Sequence, residues 1–373
     1  MNFVIITHVQ HIKENSKYYG YAPYVREMNI WLKYVEQVTV VAPIEKSKLD
    51  NIHLDYQHIN IKFKEVPHFN TTSFKHSLRT LLKLPSLLWT IFSAMKKADH
   101  IHLRCPGNMG LLGCLVQLLF PNTPKTAKYA GNWDPNAKQP FSYSIQKWIL
   151  NNTFLTKNMQ VLVYGEWNGS SKNIKPFFTA TYSETKKETI LPRSLKQKIN
   201  FVFVGTLSNG KRPLYAIQSV ENLKKMGVAV QLHLFGDGVM RTELDKYIAS
   251  HKLTGYVFLK GNQSKEVVEQ AYKESHFLIL ASKSEGWPKV VAEAMFWGCL
   301  PLTTNVSCVN YMIGNGSRGK LLDLNLEYDT QLVFEMLHDE AQYLKMCVEA
   351  RDWSQHYTTE YFESEIVKLL AVS

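Results

Sequence analysis

Short apolar runs alternate with amphipathic stretches along nearly the whole chain. In the first half, residues 2–7, 37–41, 61–66, 100–103, 126–129 and 160–163 read as strands. In the second half, residues 200–205, 229–235, 256–259, 277–281 and 300–303 do the same. A run such as Phe277-Leu278-Ile279-Leu280-Ala281 has no polar alternation, which suits a parallel strand buried on both faces. Helical patterns fall between the runs, for example over 213–226 and 240–251. This alternation predicts an α/β fold with parallel sheets. Two such series meet near 185–198, a charged and polar stretch containing Pro192. The pattern therefore predicts two Rossmann-like domains, 1–190 and 191–357, facing across a cleft. Ligands of doubly wound sheets bind beyond the carboxyl ends of the strands.

A length of 373 residues and an apolar content of 45% suit two domains with full cores. The longest apolar stretches, 84–95 and 109–120, run to about a dozen residues, short of the roughly 20 that span a bilayer. The first residues read directly as a strand, without the charged start and cleavage site of a secretory leader. A cytoplasmic protein is expected, and the Asn-x-Ser triplets at Asn168 and Asn315 then carry no weight. Cys105, Cys114, Cys299, Cys308 and Cys347 show no paired metal spacing, and an odd count in such a chain fits reduced, buried thiols.

Charge changes the picture further. Residues 1–200 carry 26 Lys+Arg against 12 Asp+Glu, and residues 201–373 carry 17 against 20. A basic first half points to an anionic partner or to a solvated basic surface. No nucleic-acid motif accompanies it, so nucleic acid is not an expected partner. The segment 74–98 sets Lys75, Arg79, Lys83, Lys96 and Lys97 around Leu81, Leu82, Leu87, Leu88, Trp89, Ile91 and Phe92, with Pro85 interrupting it. It reads either as a helix lying on an anionic membrane surface or as a surface helix packing its stripe on the core.

The most informative stretch is Ser284-Glu285-Gly286-Trp287-Pro288-Lys289-Val290-Val291-Ala292-Glu293-Ala294-Met295. Pro288 falls at the first helical position and Gly298 just past the end. The first N–H groups of a helix, with its dipole, favour an anion in the loop before it. Glu285 lies in that loop, and Glu293 sits among Val290, Val291, Met295 and Phe296, where an ionised group needs partners. An anion flanked by two carboxylates suits a phosphate-linked polyol such as a nucleotide sugar. Acidic residues near helix starts also serve simply as caps.

This segment, with Gly298-Cys299-Leu300-Pro301 after it, resembles the Glu-x7-Glu signature of retaining glycosyltransferases of family 4, which have the GT-B fold. The resemblance extends over about residues 200–322. It implies that Glu285 contacts hydroxyls of the transferred sugar, Glu293 accepts from the ribose, and the N–H groups of Lys289 and Val290, after Gly286, face the phosphates. Trp287 lines the sugar pocket or belongs to the core. After Gly205 the family usually carries an Arg, then a Lys five residues later, both on the leaving diphosphate. Here Thr206 takes the Arg position and Lys211 the Lys position. Either Arg212 supplies the second charge or the phosphates are held elsewhere. Leu234-Phe235-Gly236-Asp237-Gly238 looks like the family's strand-end turn, and Gln263 either lies by the base or forms an ordinary turn.

The first half carries less of the pattern. Tyr18-Tyr19-Gly20-Tyr21-Ala22-Pro23-Tyr24 occupies the place of the family's acceptor-side glycine-rich loop, making Gly20 and Tyr21 candidates. His102 matches the first histidine of a family His-x-His pair, and Arg104 replaces the second. His102 is then catalytic or a core histidine, and Arg104 pairs with a phosphate or carboxylate. Asp134, after another strand, is a candidate on the acceptor side. The resemblance also implies that a last helix, about 358–373, packs back on the first domain.

The expected activity is retaining transfer of a hexosyl group from a nucleotide-diphosphate sugar to an acceptor hydroxyl, in assembly of a surface polysaccharide or glycolipid. The acceptor is a glycan or is lipid-linked, at the inner face of a membrane. No Asp-x-Asp motif is present, and no metal or cofactor is expected. The alternatives are a non-catalytic nucleotide-sugar-binding protein of the same fold and another GT-B enzyme such as an epimerase. A dinucleotide dehydrogenase would want Gly-x-Gly-x-x-Gly, which does not occur.

Overall fold

The first series of apolar runs forms a sheet whose inner strands are buried on both faces, while the strands at its two edges keep exposed residues. In the computed structural model, which describes residues 1–50, 52–67, 74–189 and 193–371 (main chain only over 74–82), the strands β1 (Asn2–Ile6), β4 (Gln37–Pro43), β6 (Ile61–Val66), β7 (His100–Cys105), β8 (Lys125–Tyr129), β9 (Met159–Tyr164) and β10 (Ile174–Phe177) pair in the order β10-β9-β8-β7-β1-β4-β6. Every pairing is parallel. Helices α1 (Ala22–Leu32), α2 (Phe74–Met95), α3 (Asn108–Val116) and α4 (Phe141–Leu150) make the crossovers. Leu87, Ile91 and Met95 of α2 pack into the core with Leu103, Leu112 and Ile149. Pro85 lies inside α2 without ending it. The side chains of Lys75, Arg79, Leu81 and Leu82 lie outside the described residues.

The tyrosine-rich stretch departs from expectation. Strand β2 (His11–Glu14) forms an antiparallel hairpin with β3 (Lys17–Tyr21), and β5 (His53–Asp55) adds to its other edge. Gly20 and Tyr21 are thus strand residues, not members of a glycine-rich loop. A run of tyrosines favours extended backbone, and a Cβ on Gly20 would press on His11 and Val25 at 3.1–3.2 Å.

Several polar residues inside this half find partners, though His102 Nε2 has none among the described residues. Lys128 Nζ donates to the Phe178 carbonyl at 3.2 Å and lies 4.3 Å from the Tyr164 ring. His100 Nε2 and His102 Nδ1 both meet Thr126 Oγ1, at 3.0 and 2.8 Å. Burial pushes His11 down to about 4, and burial with the Lys125 charge does the same to His100. Each is neutral when folded and charges in acid when unfolded. The unfolded chain therefore binds more protons between pH 6.5 and 4, so stability falls as the pH drops through that window. We expect a loss of about 1–3 kcal/mol per histidine, read from urea midpoints at pH 7.5 and 4.5. Equal midpoints in the native chain and in His100→Gln across that range would disprove it.

The second series builds another parallel sheet from β11 (Ile199–Val204), β12 (Val230–Phe235), β13 (Val257–Gly261), β14 (Phe277–Leu280), β15 (Leu300–Thr304) and β16 (Lys320–Leu322), in the order β13-β12-β11-β14-β15-β16. Helices α5 (Pro213–Lys225), α6 (Arg241–Ser250), α7 (Lys265–Glu274), α8 (Lys289–Phe296), α9 (Val309–Met312), α10 (Leu326–Met336) and α11 (Glu340–His356) cover it. α12 (Thr359–Ala371) ends the described chain. Two units result, one of Met1–Phe178 with Phe362–Ser373, the other Thr179–Tyr361. Within the first, Phe362 packs on Phe177 and Phe178 at ring separations of 5.4 and 5.7 Å, and Glu363 pairs with Lys33 at 3.0 Å. The five cysteines are buried thiols outside any disulfide. Among the described residues no helix is long and apolar enough to cross a membrane. None holds a cluster of three metal-ligating side chains.

Candidate functional site

In the second unit the chain leaves β11 toward β12 and β13, and leaves β14 toward β15 and β16. The loops after β11 and β14 therefore diverge, and the crevice between them is where doubly wound sheets take ligands. Backbone bonds fix these loops. Gly205 N donates to Phe235 O at 2.9 Å, Leu207 N to Asp237 O at 3.0 Å, and Lys283 N to Gly210 O at 2.8 Å. Gly236 passes so close that a Cβ there would stand 2.0 Å from the Gly205 carbonyl oxygen. Arg212, at φ +51°, precedes α5 and donates through Nη1 to the Ala281 carbonyl at 3.0 Å. Its guanidinium thus ties the two loops together.

The crevice brings Lys211 and Glu285 into direct contact, Nζ to Oε1. Their side chains keep 29% and 10% of their exposure, so the pair is only partly open to solvent. An ammonium has three donors and a carboxylate two acceptor oxygens, so this contact leaves both groups capacity for a ligand. The Glu285 loop leads into α8. Pro288 sits at the cap, one residue before the position expected of it, and Gly298 at φ +66° ends the helix. The first N–H groups of α8, from Lys289 and Val290, have no acceptor within the helix. Ser307 Oγ holds the Gly286 carbonyl at 2.7 Å.

Glu293, about one turn into α8, accepts from Thr181 Oγ1 at 2.9 Å and from the Tyr272 hydroxyl at 3.4 Å. Burial first, and the Glu293 charge second, push the Tyr272 and Tyr182 phenols upward. Gln263 lies exposed past β13, its amide donating to Lys260 O at 2.7 Å. Trp287 is 7% exposed and packs against Trp353 and Tyr357 at ring separations of 6.3 and 6.2 Å.

In the first unit the divergence falls between β1 and β7. Arg104, at the end of β7, pairs with Glu27 at 3.2 Å and lies 5.3 Å from the Tyr24 ring. His102 is fully buried on Phe3 and Trp31, with ring separations of 5.8 and 4.9 Å. Burial and the nearby Arg104 charge hold it neutral, well below the usual histidine range. It sits in the core of this unit. Asp134 Oδ1 accepts from Asn136 N at 2.8 Å, closing a turn after β8. Sequence reading missed His8, which follows β1 and lines a cavity of about 200 Å³ with Gly107, Asn108, Met109 and Tyr143. Its only sequence signal is its place just past an apolar strand, at the carboxyl end of β1.

Known proteins resemble this chain chiefly in fold. Anabaena HepE, solved with UDP, covers 100% of this chain over 99% of its own, with a TM-score of 0.70 at 13% identity. The lipopolysaccharide outer core galactosyltransferase WaaB gives 0.68 at 16% identity, covering 100% and 99%. The fold is GT-B, built on two Rossmann-like domains. An uncharacterized glycosyltransferase of Methanocaldococcus jannaschii is 22% identical over 195 residues, 52% of this chain and 53% of that protein. The chain thus spans about half the length of that curated relative. The stretch that carries Lys211, Glu285 and Glu293, residues 186–352, matches the family model of glycosyl transferases, group 1.

Proposed function

We propose that this chain transfers a hexosyl group, with retention, from a nucleoside-diphosphate sugar to an acceptor hydroxyl. The observation that carries this reading is the Lys211–Glu285 pair in the crevice between β11 and β14, just before α8. Lys211 and the α8 N–H groups stabilise charge that builds on the diphosphate as the anomeric C–O bond breaks. Glu285 accepts from hydroxyls of the transferred sugar. Glu293 accepts from the ribose diol, and the turn at Gln263 lies by the base. The acceptor oxygen forms its bond on the face the leaving group departs, and its proton passes to a phosphate oxygen of the diphosphate. Arg104, with His8 beside it, faces the acceptor side.

The names of similar proteins and the basic first 200 residues support a setting in polysaccharide or glycolipid assembly, with an acceptor at the cytoplasmic face of a membrane. Trp89 at 68% exposure and Leu119 at 66% suit a peripheral contact there.

Thermal melts with UDP, GDP, ADP and NAD test the donor site. A ligand at one hundred times its dissociation constant stabilises by about 2.7 kcal/mol. One nucleoside diphosphate should raise the melting point of the native chain and leave Glu293→Ala unmoved. No shift with any nucleotide, or a shift with NAD alone, would sink the proposal.

A further inference from the structure

Away from this crevice the first unit holds a second cavity, of about 610 Å³, beside α4. That volume is in the range of small-molecule sites. Ser144, Lys147, Trp148 and Asn151 all line it. At this spacing they form one stripe of the helix. The other stripe, Ile145, Ile149 and Leu150, packs into the core. The facing wall is the segment 168–170, which runs from β9 toward β10.

The lining combines flat rings with donors. Trp133, 4% exposed, lies edge-on to Tyr129 at 4.9 Å. Trp148 keeps 63% of its surface exposed. Lys147 Nζ lies 5.8 Å from the Trp133 ring and donates to Asp134 O at 2.9 Å. Asn151 Oδ1 is taken by Ser171 N at 2.9 Å, and Asn152 Oδ1 by Phe154 N at 2.9 Å. Both amide NH2 groups therefore remain as donors among the described residues. No Asp or Glu lines the cavity.

We propose that this cavity binds one or two sugar residues of an oligosaccharide. A pyranose offers a face of C–H groups and an edge of oxygens. The face lies on Trp148, and the edge takes donors from Asn151, Asn152 and Lys147. An acyl chain would satisfy none of those donors, and burying them unpaired is costly. The rigid ring supplies contact area at little entropic cost. The site is independent of the transfer reaction and needs no donor nucleotide.

The test is saturation-transfer NMR with maltotriose, chitotriose and trigalacturonate, followed by titration of whichever binds. At least one should bind the native chain. Trp148→Ala should weaken it about tenfold, and Trp148→Phe should restore part of that. Glu293→Ala should bind as the native chain does, which places the sugar outside the crevice. Trp148 is exposed, so its loss leaves the core intact. The proposal is overturned when none of the three binds, when Trp148→Ala binds as well as the native chain, or when Glu293→Ala abolishes binding.

Discussion

Lys211→Met is expected to lower turnover about 100- to 1000-fold, the usual effect of removing one preorganised group from developing charge. The loss should fall on kcat more than on KM, because the diphosphate gains its charge as the bond breaks. A structural side effect has to be separated from this. Glu285 is only 10% exposed and would lose its partner. Leaving it unpaired costs about 1–3 kcal/mol. Lys211→Met combined with Glu285→Gln removes the stranded charge, so it should regain stability while turning over no faster than the single variant. Transfer would be followed with the nucleotide sugar whose nucleotide stabilises the native chain. Turnover within threefold of native in folded Lys211→Met would remove the ammonium from the mechanism.

The second large effect is on stability, at Gly236. A Cβ there would meet the Gly205 carbonyl oxygen at 2.0 Å, and its φ of +127° lies where L side chains are strained. Both neighbours are backbone, so no side chain can swing aside. The ends of β11 and β12 would have to part, breaking Gly205 N to Phe235 O and Gly236 N to Gly261 O, bonds of 2.9 and 2.8 Å. Gly236→Ala should cost about 3–5 kcal/mol. Gly227 provides the comparison, with φ +87° but nothing within 4 Å of a Cβ. Gly227→Ala should cost about 1 kcal/mol, from backbone strain alone. Equal losses in the two variants would show that the carbonyl contact does not set the constraint. The same strand ends carry the loop of Lys211, so Gly236→Ala should also weaken nucleotide binding.

Both effects concern residues that stand out in the sequence, while their partners do not. The parallel strands were legible because burial on both faces leaves apolar runs such as Phe277–Leu280. The three-stranded antiparallel sheet was not. β5 has three residues, and β3 reads as a tyrosine cluster around a glycine. β10 and β16 are short and carry lysines. At the site, the loop positions of Lys211 and Glu285 were readable, but their contact joins residues 74 apart in sequence. His102 and Arg104 share a face by strand alternation. Depth along β7 separates them, since His102 stops beneath Trp31 and Arg104 reaches the strand end. The packing of Trp287 was not readable because its ring partners, Trp353 and Tyr357, come from the far end of α11.

The first unit is completed by Phe362–Ser373, which follow the whole second unit in the chain. During synthesis the ribosome therefore delivers Phe177 and Phe178 long before Phe362, the ring that covers them. The second unit, continuous in sequence, can close as soon as it emerges. The first must wait with an apolar patch uncovered until the last helix arrives. Translation order thus makes the earlier-born half the later one to finish.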